Sequence, residues 1–316
     1  MQMADWSALP RDARVETLHD HLSDESALAQ RLRDYDVVIG MRERTPMPRS
    51  LLQRLPNLKL LITTGMGNAS FDIDAATELG IVVSGTSSGG GPGTAELTWG
   101  LILALARSIP AEDRAVRQGK WQTSVGLGIA GKTLGVIGFG RIGSQVAKVG
   151  VAFGMQVLTW SQNMTPQRAQ TVGATAASKD DLLSGSDFVT LHVNLNARSR
   201  GLLTARDLAR MKPTAYLINT SRGPLVDEQA LIDALRTKHI AGAGLDVFNV
   251  EPLPQDHPLR HMENTVLTPH LGYVTEEGYR GMYSNAVENI QTYLKGQPVR
   301  VINPAVLERP NRRGIP

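Results

Sequence analysis

The segment with the fewest structural solutions is Gly138-Phe-Gly140-Arg141-Ile142-Gly143. It follows an apolar run, Leu134-Gly-Val-Ile, and opens a helical pattern over residues 142–153, with a second apolar run at 155–160. Glycine permits a tight turn at position 138, close approach of another group to the backbone at 140, and intimate helix-on-strand packing at 143. A strand, a glycine turn, a helix and a strand in succession make a β-α-β unit, whose two strands run parallel. The helix start supplies unpaired amides and positive potential suited to a pyrophosphate. In that context the pattern reads as a dinucleotide-binding turn. Without it the signal is weak, because the chain holds 31 glycines in 316 residues.

Short apolar runs alternate with helical stretches elsewhere. Val37–Gly40, 58–62 and 81–83 read as buried strands, with a short helix at 73–79 between Asp74 and Gly80. Residues 94–108 make a helix that is apolar almost all round, stopped by Pro110 and buried between two bodies. Strands follow at 188–192, 215–219 and 242–247, a helix at 227–236, and a terminal helix from Glu276 to Lys295 that returns to the first domain. The expectation is an α/β protein of two Rossmann-like doubly wound parallel-sheet domains, with the active site in the cleft between them. Residues 1–101 with 285–316 form a flavodoxin-like substrate-binding domain, and residues 102–284 a dinucleotide-binding Rossmann domain. The first domain lacks a clear opening strand before Val37, with residues 13–18 as a reduced version. Gly89-Gly-Gly-Pro-Gly93 reads as a hinge for closure.

Composition removes several other functions. Basic and acidic residues number 33 and 30, a formal charge of +3, and aromatics are 5% of the chain. Neither a basic surface nor a base-stacking platform is implied, so no nucleic-acid partner is expected. There is no cysteine, which excludes disulfides, thiolate metal sites and cysteine nucleophiles; no metal site is expected. The longest apolar stretch, 100–106, falls well short of the ~20 residues of a membrane span. The N-terminus shows no basic region followed by an apolar run, so a cytoplasmic location is expected.

Three segments end strands with ionisable residues: Ile218-Asn-Thr-Ser-Arg222-Gly-Pro, Gly244-Leu-Asp246-Val-Phe-Asn-Val-Glu251-Pro, and Thr268-Pro-His270-Leu-Gly272. In doubly wound folds ligands sit beyond the carboxyl ends of the strands, so these groups can converge. Singly, each has a plain structural alternative: a surface arginine, a strand-end cap, a core histidine. Arg222, between an apolar strand and a Gly-Pro turn, suits a fixed guanidinium for a carboxylate.

Taken with Leu191-His192-Val193 and Met211-Lys-Pro213, this ordered set resembles the D-isomer-specific 2-hydroxyacid dehydrogenases over roughly residues 35–300. The resemblance implies a catalytic triad of Arg222, Glu251 and His270. His270 would donate the proton to a 2-oxo acid, Glu251 would favour its imidazolium, and Arg222 would bind the carboxylate and polarise the carbonyl. It also implies that the loop Thr64-Gly65-Met66-Gly67-Asn68 holds the substrate carboxylate through Met66 and Gly67. Gly138, Gly140, Arg141, Ile142, Gly143, Ser161, His192, Thr220 and Asp246 would line the cofactor, although Asp246 is equally readable as a strand-end cap. Arg42 is a candidate contact for the substrate's C3 group.

The cofactor is NAD or NADP. An acid about 20 positions after the motif would hold a ribose 2′-hydroxyl; relatives usually carry one where Ser161 stands, and the neutral Ser161, Gln162 and Asn163 tilt the expectation towards NADP, with Arg168 as a candidate aid. A homodimer built around residues 107–130 is the family expectation. The preferred reading is a reductase of small 2-oxo acids such as glyoxylate or hydroxypyruvate. Its rival is a non-catalytic dinucleotide-sensing corepressor or scaffold of the same fold, which would carry partner-binding extensions. Formate dehydrogenase is disfavoured by Glu251, since formate oxidation needs no proton donor. A phosphoglycerate dehydrogenase with a regulatory domain is disfavoured by the chain's end at residue 316.

Overall fold

The computed structural model describes residues 3–87 and 92–314. They divide into two compact units, Met1–Gly91 with Thr275–Pro316, and Pro92–Val274. The boundaries expected at 101/102 and 284/285 are therefore corrected. Both would cut a helix, Gly93–Ala106 or Glu276–Leu294. Of the expected hinge, residues 89–91 lie outside the described residues, and Gly93 opens the first helix of the second unit.

The first unit runs α1 (Glu25–Leu32), β1 (Val37–Gly40), α2 (Arg49–Leu52), β2 (Leu60–Thr63), α3 (Ile73–Glu78) and β3 (Val82–Gly85). Asp24 and Asp72 cap α1 and α3 by accepting from the Ala27 and Ala75 amides at 2.7 and 2.8 Å. The three strands pair in parallel in the order β1-β2-β3, with Val37 opposite Leu60 and Leu60 opposite Val82. Every residue of β2 is buried, because both faces are covered. Leu61 joins Leu51, Leu55, Phe71 and Ala75 on one face. Leu60 and Ile62 join Ala286, Ile290 and Tyr293 of the terminal helix on the other. Residues 13–18 form no strand: Val15 and Leu18 are exposed, so the segment buries too little to offset the entropy of ordering it.

The second unit contains α4 (Gly93–Ala106), α5 (Ile109–Arg117), β4 (Thr133–Ile137), α6 (Arg141–Ala152), β5 (Gln156–Trp160), α7 (Pro166–Gln170), β6 (Thr175–Ala176), α8 (Lys179–Gly185), β7 (Phe188–Leu191), α9 (Ala205–Leu208), β8 (Tyr216–Asn219), α10 (Glu228–Arg236), β9 (Gly242–Leu245) and β10 (Thr265–Leu267). Pro110 does not stop α4. The left-handed Ser108 (φ 50°) breaks the chain there, and Pro110 occupies the first turn of α5, where its missing N–H costs nothing.

Seven parallel strands lie in the order β10-β9-β8-β7-β4-β5-β6. The chain moves outward from β4 through β5 to β6, then returns to β7 on the other side of β4 and continues to β10. The reversal between β4 and β7 is the switch point at which such sheets bind ligands. Alternation along β4 sets the two faces. Leu134 and Val136 pack with Trp99, Ile102 and Val146 of α4 and α6, while Ile137 packs with Leu182 and Leu231 of α8 and α10.

Candidate active site

The glycine turn lies at the switch point, directly after β4. Gly138 has φ +93°, a left-handed value that favours glycine, and a Cβ there would overlap the His192 carbonyl. A Cβ on Gly143 would overlap the Gly138 carbonyl, so α6 lies closer to the turn than any other residue allows. Gly140 differs, because a Cβ on it would meet nothing within 4 Å. Gly140 is the N-cap of α6 and brings no side chain to the helix start, leaving room there for another group. That cradle fits a pyrophosphate. Arg141 is exposed at the helix start, and Ile142 packs its side chain into the core.

The flanking groups are held from neighbouring strands. The Gly138 amide donates to the Trp160 carbonyl at the end of β5 (2.8 Å), placing Ser161 beside the turn. The His192 amide donates to Ile137 at 2.7 Å. Its Nε2 lies 3.0 Å from the Thr190 hydroxyl, and its Nδ1 is buried without a partner. Burial pushes this imidazole down to about 3, so it is neutral at physiological pH. The Thr220 hydroxyl is bound to that of Thr98 on α4 at 2.9 Å.

An acid–base pair stands beyond β8, β9 and β10. His270 Nδ1 lies 2.6 Å from Glu251 Oε2, and Glu251 Oε1 accepts from the Phe248 amide at 2.9 Å. Tying up Nδ1 leaves Nε2 as the nitrogen available for proton transfer. Burial would raise the Glu251 carboxyl. The hydrogen bond and charge of His270, the Phe248 amide and the Arg222 charge together outweigh it and hold the group below the usual carboxylate value.

Arg222 reaches this neighbourhood through Gly223, where a Cβ would overlap the Phe248 backbone, so the turn after β8 rests directly on the segment leading to Glu251. Asn219 fixes that turn, donating from Nδ2 to the Arg222 carbonyl (2.9 Å) and accepting from the Ser221 amide (3.0 Å).

Asp246, fully buried, organises the histidine. It accepts from the Thr268 hydroxyl (2.6 Å) and the Leu271 and Gly272 amides (2.7 and 2.9 Å), while its carbonyl accepts from the His270 amide at 2.8 Å. These bonds hold His270 in a left-handed conformation, φ 57°. Burial raises the Asp246 carboxyl despite its three donors. Its hydrogen bonds therefore match those of a strand-end cap. Sequence reasoning missed Gly223 and Tyr273, whose ring stands edge-on to His270 at 5.5 Å and 77°. The Gly-Pro after Arg222 was the available signal for the first; nothing signalled the second.

In the first unit, the loop after β2 turns at Gly65 (φ 122°), whose amide and carbonyl both bond to Thr86, at 2.9 and 3.0 Å. Met66 and Gly67 are exposed, and among the described residues their amides find no acceptor. Arg42 Nη1 donates to the Thr64 carbonyl at 3.3 Å, laying its guanidinium against the Gly65 turn.

A glycine turn at the switch point of a parallel sheet defines a dinucleotide-binding Rossmann domain, and an imidazole–carboxylate pair stands at its strand ends. Comparison with known proteins narrows the class. Residues 99–272 match the D-isomer specific 2-hydroxyacid dehydrogenase, NAD binding domain. The chain is 38% identical over 290 residues to a glyoxylate reductase of Thermococcus litoralis, covering 89% of this chain and 87% of that protein. It is 39% identical over 278 residues to a D-3-phosphoglycerate dehydrogenase of Synechocystis sp., covering 87% of this chain and 50% of that one, so it spans half the length of that relative. The crystal structure of a phosphoglycerate oxidoreductase from Vibrio cholerae matches with a TM-score of 0.84 at 36% identity, over 88% of this chain and 90% of that one. The chain belongs to the D-isomer-specific 2-hydroxyacid dehydrogenase family, and its second unit is the family's nicotinamide-dinucleotide domain.

Proposed function

We propose that this chain reduces small 2-oxo acids to D-2-hydroxy acids, with glyoxylate and hydroxypyruvate as the first candidates. The observation that carries the reading is the His270–Glu251 pair at 2.6 Å, with the charge of Arg222 acting on it. His270 Nε2 delivers a proton to the carbonyl oxygen. Glu251 holds the ring by Nδ1 and stabilises its cationic form before transfer. Arg222 pairs with the substrate carboxylate and draws electron density from the carbonyl, and the Met66 and Gly67 amides bind carboxylate oxygens. A bound nicotinamide supplies the hydride that reaches the carbonyl carbon. The Gly138–Gly143 turn, with Arg141, Ile142, Ser161, His192, Thr220 and Asp246 around it, seats the dinucleotide. The neutral end of β5 favours NADP over NAD.

The working form is a homodimer. Ile109, Val116, Trp121 and Val125 are 52%, 51%, 79% and 100% exposed, an apolar series in and after α5 that a second copy would cover.

A panel of 2-oxo acids assayed with NADH and NADPH, and D- against L-hydroxy acids in the reverse direction, tests the reaction. Dinucleotide oxidation with glyoxylate or hydroxypyruvate, and oxidation of only the D-acid, is expected. No turnover with any 2-oxo acid refutes it.

A further inference from the structure

We propose that Arg168 is the residue by which this chain selects a dinucleotide carrying a 2′-phosphate. The inference rests on the reading of the second unit as a dinucleotide site. In such a site the adenosine ribose lies at the end of the second strand, where a carboxylate would bind its free hydroxyls. Here that strand is β5, and beyond Trp160 the chain makes a tight turn, Ser161-Gln162-Asn163-Met164, closed by the Met164 amide donating to the Ser161 carbonyl at 3.0 Å. The turn contains no carboxylate to repel a phosphate.

The next residues bring in a cation. The Thr165 hydroxyl caps α7 by accepting from the Arg168 amide at 3.2 Å. From that short helix the Arg168 side chain returns to the glycine turn, where Nη2 donates to the Phe139 carbonyl at 2.7 Å and the guanidinium stands 5.9 Å from the Phe139 ring centroid. Phe139 is the residue between Gly138 and Gly140, and Gly138 is itself bonded to Trp160. Ser161 and Arg168 thus flank the same two residues of the turn.

A strut would need only the Phe139 bond, and Arg168 has more to give. Its side chain is exposed, and among the described residues Nε and Nη1 make no hydrogen bond. Anchoring one nitrogen removes much of the rotamer freedom that phosphate binding would otherwise have to remove. The remaining donors form a fork whose geometry matches a phosphate monoester.

Calorimetric titration of the full chain with NADPH and with NADH reads this directly, with no turnover required. The wild type should prefer NADPH, with a preference that shrinks as salt is raised. Arg168→Ala should reduce the NADPH-to-NADH affinity ratio by about ten- to a hundredfold, the size of a charge-assisted contact. Arg168→Lys should fall between the two, and Ser161→Asp, which leaves Arg168 in place, should invert the preference. Equal weakening of both dinucleotides in Arg168→Ala makes the residue a strut and overturns the proposal, as does a wild type that prefers NADH. Binding of neither overturns it together with the nucleotide site. Failure to reduce any 2-oxo acid while the affinity ratio behaves as expected refutes the reductase reading alone.

Discussion

Glu251→Gln is nearly isosteric and probes the acid–base pair with little disturbance of packing. Glu251 uses both oxygens: Oε1 accepts from the Phe248 amide and Oε2 meets His270 Nδ1. A glutamine that keeps its oxygen on the Phe248 amide must present its NH2 to Nδ1. The ring then accepts at Nδ1, which fits the neutral imidazole and opposes the cation that donates the proton. The loss is one charge-assisted hydrogen bond at 2.6 Å, worth about 1.5–3 kcal/mol when well shielded. The Glu251 side chain is 34% exposed, so solvent screening keeps the effect to about 1.5–2.5 kcal/mol. If that stabilisation is realised in the transition state, kcat falls roughly ten- to seventyfold.

The assay is steady-state reduction of glyoxylate at saturating dinucleotide, with dinucleotide affinity measured separately by calorimetry. A fall in kcat with unchanged affinity is expected. A kcat within twofold of wild type, or a loss of activity matched by a loss of dinucleotide affinity, would show that the pair does not serve proton transfer.

Other perturbations follow from the same geometry. Gly143→Ala pushes a methyl into the Gly138 carbonyl and must part α6 from β4; overpacking of this kind costs about 1–3 kcal/mol. Calorimetry should show at least a roughly tenfold weaker dinucleotide affinity with a lower melting temperature, and unchanged affinity would mean the close approach is dispensable. Trp121→Ser should shift the sedimentation of the protein from the proposed dimer towards monomer; an unaltered coefficient would refute a dimer contact at Trp121. Burial raises the Asp187 and Asp207 carboxyls, but their hydrogen bonds with the Thr133 and Thr204 amides and their pairs with Lys212 and Lys179 (3.0 and 2.8 Å) bring both below the ordinary value. Their stabilisation is complete above the unfolded-state pKa of about 3.9 and is lost as pH falls through the lower folded values. Melting temperatures should therefore drop steeply below about pH 4, and the slope should flatten in Asp207→Asn. A parallel curve in the variant would remove Asp207 from the acid response.

Elements buried on both faces were legible in the sequence because burial leaves only apolar residues. Val37–Gly40 forms β1 with the ends read from the sequence, and Gly242–Leu245 starts where its apolar run starts. Strands with little to bury left no trace: Thr175–Ala176 holds two residues at a sheet edge, and Thr265–Leu267 is nowhere fully buried. The glycine turn was legible because Gly138 answers a positive φ and Gly143 a close helix approach, while Gly140 leaves the helix start open. The geometry around His270 was not. Its left-handed backbone is imposed by Asp246, which sequence alone leaves equally readable as a cofactor ligand, and the approach of Arg222 to Glu251 depends on a missing Cβ at Gly223. Such contacts join residues far apart in the chain, and no local pattern encodes them.

The terminal helix over β2 has a consequence for biosynthesis. Leu60, Ile62 and Val82 are completed by Ala286 and Ile290, and the Val83 amide donates to Asn303 Oδ1. The sheet of the first unit therefore waits on the ribosome for residues made more than two hundred positions later. The second unit, continuous in the chain, is synthesised in full before that helix emerges. The nascent protein thus completes its nucleotide-binding half before the first unit, whose strands carry an uncovered apolar face, open to chaperones, until the terminal helix emerges.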